Sequence, residues 1–144
     1  MRSIVTLLVV LLLAGACGGD SGPRAIIETG GAEVAVAVEI ADSPAEQRVG
    51  LMHRAALDDD AGMLFLFPAG QQGGFWMKDT LIPLSIAFAG RDGRISRILD
   101  MEPCRADPCP IYDPGVAYTS ALEVNRGAFR RWGVREGDRL RLER

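Results

Sequence analysis

Between residues 33 and 40 the chain alternates, with Val34, Val36, Val38 and Ile40 on one side and Glu33, Ala35, Ala37 and Glu39 on the other. A period of two is that of a half-buried strand. Ser43-Pro44-Ala45-Glu46 follows, with a hydroxyl at the cap position, proline at the first helical position and glutamate at the third. This capping box predicts a short helix to about Met52. Asp58-Asp59-Asp60-Ala61-Gly62 reads as a loop, and Met63–Phe67 as a compact apolar strand stopped by Pro68. After a flexible loop at residues 71–74, Leu84, Ile86 and Phe88 alternate with Ser85 and Ala87 as a further strand. Gly90-Arg91-Asp92-Gly93 turns the chain into a strand at residues 94–99, and residues 118–124 form another. Asn125 is placed to cap a helix over residues 126–132 that Gly133 ends, and Gly137-Asp138 marks a hairpin turn before Leu140 and Leu142. Many short strands with two short helices predict a mostly β (α+β) domain, a compact β-barrel or sandwich with two flanking helices.

The N-terminus breaks this pattern. Arg2 precedes an apolar run from Ile4 to Ala16, 13 residues long, where a bilayer-spanning helix needs about 20. The run ends in Ala14-Gly15-Ala16 and then Cys17. A short basic region, an apolar core and small residues at the end describe a secretory signal over residues 1–16. A cysteine directly after it is the pattern of a bacterial lipoprotein, with Cys17 lipidated as the first mature residue. The chain is then expected to be exported and membrane-anchored, on the periplasmic or cell-surface side. Residues 17–23, rich in glycine with no hydrophobic pattern, read as a flexible tether, and residues 24–144 as one domain.

Composition narrows the partners. The formal net charge is −3, and removing Arg2 with residues 1–16 leaves 15 basic against 19 acidic side chains, or −4. There is no basic excess of the kind that nucleic-acid binding requires. Cys104 and Cys109 lie in a loop with three prolines, and outside the cytoplasm such a pair is expected to form a disulfide. His53 is the only histidine, which excludes a histidine-rich zinc site within the chain. No serine stands in a Gly-x-Ser-x-Gly setting, and the consecutive acids at residues 58–60 lack the alternate spacing of a calcium loop. No metal site or cofactor is expected, and no complete catalytic constellation is visible.

The chemistry concentrates in Phe75–Leu84, which sets Trp76 beside Lys78, Asp79 and Thr80 in an otherwise apolar, strand-like run. Buried polar groups without partners cost a few kcal/mol each, so this block is a candidate site. Six ordered blocks carry a wider resemblance. They are Arg48–Arg54, Gly62–Phe67, Phe75–Thr80, Ile82–Leu84, Leu122–Gly127 and Gly133–Asp138. Together they resemble the domain-of-unknown-function 192 family across the whole mature domain. The resemblance implies a small, mostly β fold with flanking helices in a protein that is often exported, and it brings no established activity. This chain departs from the usual pattern at His53, at Asp79 where asparagine is common, and at Ser85 where an aspartate commonly follows Pro-Leu.

Arg48, Arg54, Glu123 and Asn125 are the polar residues of the matching blocks. If they converge on Trp76, Lys78, Asp79 and Thr80, the result is a polar pocket with an aromatic wall, suited to a small anionic or sugar-like ligand. Arg54 has a second reading, as a tether for the acidic loop at residues 58–60. The leading expectation is a membrane-anchored binding or accessory module. A hydrolase or lyase acting on cell-envelope material through Asp79 or Glu123 is the alternative from another class. A structural lipoprotein acting by protein contacts is the third.

Overall fold

A computed structural model describes residues 22–144; the signal at residues 1–16 and Cys17 lie outside them. Nine strands and two short helices follow in chain order. They are β1 (Arg24–Glu28), β2 (Glu33–Ala41), α1 (Pro44–Val49), β3 (Ala61–Gln71), β4 (Phe75–Trp76), β5 (Leu84–Ala89), β6 (Ile95–Met101), β7 (Ile111–Tyr112), β8 (Tyr118–Asn125), α2 (Ala128–Arg131) and β9 (Arg139–Glu143). Seven form one sheet in the order β6-β5-β8-β3-β2-β1-β9, and β4 pairs with β7 in a separate ribbon. All neighbours in the large sheet run antiparallel except β2 and β3. The sheet curls until its edges touch, where Arg94 bridges Arg139. The mostly β, barrel-like expectation therefore describes the fold.

Alternation sorts the apolar side chains into two cores. Leu64 of β3, Ala87 and Ala89 of β5, and Leu122 and Val124 of β8 join Val36, Val38 and Phe129 in one cluster. Met63, Phe65, Leu84, Ile86, Phe88 and Ala121 belong to the other. A curled sheet with side chains alternating across it has two faces to cover, and here both are covered. That is why every residue of β5 is buried.

Three local differences from expectation have physical causes. Helix α1 has the capping box, with the Ser43 hydroxyl accepting from the Glu46 amide and the Glu46 carboxylate accepting from the Ser43 amide. It ends at Gly50, whose φ of 48° lies in the left-handed region, so the helix stops short of Met52. Strand β3 runs through Pro68 to Gln71, and its register with β8 slips between Leu66 and Gln71; an irregularity of this kind tolerates a proline that lacks an N–H. Asn125 does not cap α2. The cap residue is Gly127 at φ 75° with no side-chain bond, while the Asn125 amide donates to the carbonyls of Leu57 and Asp58.

Candidate functional site

The second core is roofed by α1, the turns that follow it, and residues 75–82. Phe75 pins this roof through edge-on contacts with Phe65 at 5.0 Å and Phe88 at 5.7 Å between ring centroids. Such pairs add about 1 kcal/mol each beyond area burial. Of the block, only Phe75 and Trp76 in β4 and its last residue, Leu84, at the start of β5 are strand, and Trp76 pairs across the ribbon with Ile111. Beyond them the chain turns. Asp79 takes a φ of 53°, and its carbonyl accepts a 2.8 Å bond from the amide of His53, itself at φ 62°. Aspartate is among the few residues that enter the left-handed region readily, which accounts for a polar side chain at position 79. The block reads as a strand in sequence because its apolar residues are pinned from below, not because it extends.

Two cavities that share part of their lining open in this roof. An outer groove of about 330 Å³ is lined by Arg48, Gln71, Phe75, Trp76 and Ile111, with Tyr118 behind them. An inner recess of about 30 Å³ shares Gln47, Arg48, Phe75 and Trp76 with the groove and adds Thr80 and Glu123. Trp76 stands 47% exposed at the mouth. Arg48, at the last turn of α1, borders both cavities, and its guanidinium has no hydrogen-bond or ion-pair partner among the described residues.

Glu123 sits at the inner end. It lies on β8 between Leu122 and Val124, which face the first core, so its own side chain faces the second. Its register partners are Met63 and Ile86. The residue is 4% exposed, and its carboxyl makes no hydrogen bond or ion pair among the described residues. No fully enclosed side-chain oxygen or nitrogen lacks a partner there, so the Glu123 carboxyl keeps a residual opening, and the recess provides it. Burial pushes its pKa up from 4.5 to about 8, because removal from water penalises the charged form. Glu123 is thus a neutral carboxylic acid at pH 7, a group that can donate a hydrogen bond.

Of the other sequence candidates only Thr80 shares the recess, and its hydroxyl donates to the Lys78 carbonyl. The Lys78 ammonium pairs with Asp107 at 3.2 Å and lies 6.0 Å from the Trp76 ring centroid. Lys78 and Asp79 border a different cavity, beside Cys104 and Cys109. Arg54 pairs with Glu39 at 2.6 Å, so it does not tether the loop at residues 58–60; Asn125 holds that loop instead. Ser85, where the resemblance expects an aspartate, donates a 2.5 Å bond to Asp100, its partner directly across on β6. A carboxylate is therefore present at this point, supplied by the neighbouring strand.

The sulfurs of Cys104 and Cys109 are 2.06 Å apart, at disulfide distance. With Asp107 they make the one group among the described residues spaced for a metal ion. Two bonded sulfurs offer no thiolates, so this geometry does not serve a metal. Groove residues that the sequence reading passed over are Gln71, Ile111 and Tyr118. Ile111 lies with Tyr112 between Pro110 and Asp113, too short an apolar stretch to display a period.

Fold and site together define a small barrel-like domain with one recessed acid beneath an aromatic groove. The chain belongs to the DUF192 family, described as Uncharacterized ACR, which it matches over residues 25–142. Two solved structures share the fold. A Sinorhizobium meliloti 1021 protein, provisionally labelled a transcription regulator, is 35% identical with a TM-score of 0.77, over 83% of this chain and 92% of that one. A Novosphingobium aromaticivorans DSM 12444 protein of unknown function is 31% identical with a TM-score of 0.67, over 82% of this chain and 83% of the other. No curated protein matches.

Proposed function

We propose that this protein is an exported, lipid-anchored module that binds a small molecule in the groove over Trp76, with part of the ligand reaching Glu123. The supporting observation is the Glu123 carboxyl, 4% exposed and without a hydrogen-bond or ion-pair partner among the described residues. A buried polar group left unpaired costs about 1–3 kcal/mol, and a ligand that satisfies it recovers that cost. The groove has the size of a small-ligand site, which begins at about 300 Å³. Lys78 and Arg54 do not line the recess that holds Glu123 and pair instead with Asp107 and Glu39, so the reading of a hydrolase or lyase acting through Asp79 or Glu123 gains no support. Export and anchoring rest on residues 1–17, whose pattern is that of a lipoprotein signal.

Thermal shift and tryptophan emission with a panel of neutral sugars, acidic sugars, aromatic acids and small amines test the binding. At least one class should raise the melting midpoint of the wild type and leave Trp76→Ala unmoved. A panel with no effect on the wild type, or equal shifts in both proteins, removes the groove from consideration. Cys17→Ala should move the protein from the membrane fraction to the soluble one, and unchanged membrane association rejects the lipid anchor.

A further inference from the structure

We infer that the site takes a ring bearing a carboxylate, with the ring against Trp76 in the groove and the carboxylate in the recess between the Arg48 guanidinium and the Glu123 carboxyl, which donates its proton to it. The inference rests on the groove being a binding site and adds the chemical class. Size divides the ligand first. The recess, about 30 Å³, is roughly twice the ~15 Å³ that one water requires; it admits a small terminal group and excludes a ring. The groove, about 330 Å³, takes the ring, and the exposed indole of Trp76 offers a flat face for it.

Hydrogen-bonding capacity then selects the terminal group. Arg48 offers five donors and no acceptor, and none is engaged within the described residues. Glu123 adds one donor while protonated, and burial keeps it so up to about pH 8. With Arg48 and Glu123 both donating, the recess favours a group that accepts, and a carboxylate is one; the Thr80 hydroxyl, its proton given to the Lys78 carbonyl, remains there as an acceptor. An ammonium group would meet Arg48 at close range, which disfavours a cation even beside an aromatic ring. The elements packed around Glu123 bring no competing charge. Strands β3 and β5 supply Met63 and Ile86, the roof supplies Leu51, Phe75, Trp76 and Thr80, and Arg48 is the one charged neighbour in the recess. Lys78 and Asp79 turn toward the other cavity. The hydrogen bond between an acid and a carboxylate is charge-assisted and short, about 2.6 Å.

Binding should therefore be coupled to the proton on Glu123. D-glucuronate and benzoate, compared with D-glucose and benzyl alcohol, separate the carboxylate from the ring. The acids should bind and the neutral partners should not. Acid affinity should weaken about tenfold between pH 7 and pH 9, as Glu123 ionises and repels the ligand. Glu123→Gln keeps a donor without a titrating proton, so it should still bind the acids, with a flat pH profile. Equal binding of acids and neutral partners would overturn the carboxylate selection while leaving the groove a binding site. A flat wild-type profile, or loss of acid binding in Glu123→Gln, would overturn the proton-donor role. If none of the four binds, this inference fails; if the wider panel is also silent, the binding reading fails with it.

Discussion

A β-carbon added at Gly62 would stand 2.5 Å from the backbone oxygen of Glu123. The two residues lie on adjacent strands, β3 and β8, at the point where β8 delivers Glu123 to the recess. A bare backbone at position 62 is what lets β8 come this close.

Gly62→Ala should accordingly destabilise the fold by about 1–3 kcal/mol, the usual cost of forcing extra volume into a packed interior. The obstacle is main chain, which cannot rotate away as a side chain does. Urea unfolding would register the loss as a lower midpoint with an unchanged slope, and a midpoint equal to the wild type would refute the steric account.

Glu123 makes stability depend on pH with a definite sign. Between about pH 4.5 and pH 8 the folded state holds a proton that the unfolded chain has released. Stability should thus fall as pH rises through that window and level off above it, by at most about 5 kcal/mol in all. Glu123→Gln removes the titration, so the variant should exceed the wild type in melting temperature at pH 8, with the gap closing towards pH 4.5. A gap independent of pH would mean that Glu123 is not the group responsible.

The Cys104–Cys109 loop is tied to the Trp76 block at two points, through the Cys104 amide to the Met77 carbonyl and through Asp107 to Lys78. Strand β7 follows the loop directly and pairs with β4. Replacing both cysteines by serine should cost about 2 kcal/mol on the chain-entropy model. It should also red-shift tryptophan emission and weaken whatever the groove binds, because the ribbon carrying Trp76 and Ile111 loses its clamp. An unaltered emission spectrum would show that the ribbon holds without the disulfide.

Ser85, 1% exposed, joins three elements by donating to Asp100 and accepting a 2.9 Å bond from the Gly127 amide at the start of α2. Ser85→Ala strands that amide, at a cost of about 1–3 kcal/mol. The Ser85 bond is also the first cause holding the Asp100 pKa below its usual 3.8. Stability gained this way is present above the unfolded pKa and lost as pH falls through the folded one. The gap between wild type and variant should therefore be wider at pH 7 than near pH 2, as read by chemical denaturation; a constant gap would assign the whole effect to the lost amide bond.

Local patterns in the chain determined a good deal. Alternation at Val34–Ile40 and Leu84–Phe88 and the Ser43–Glu46 capping box depend on neighbours a few residues apart, so β2, β5 and α1 were legible without tertiary information. The barrel-like class followed from counting such elements, and the motif blocks pointed to the family. Strand β1 was missed because Arg24–Glu28 is too short to display a period, and it exists through its pairing with β2 and β9. The candidate residues separated for a related reason. Arg48, Trp76 and Glu123 come from a helix end, a two-residue strand and a central strand, and only folding brings them around one opening, while Arg54, Lys78 and Asn125 find partners of their own. In sequence, Glu123 is a polar residue within a strand at residues 118–124. Its burial, its lack of a partner among the described residues and its raised pKa arise because the roof over the second core covers its face of β8, and burial is a property of the packed molecule that no local pattern contains.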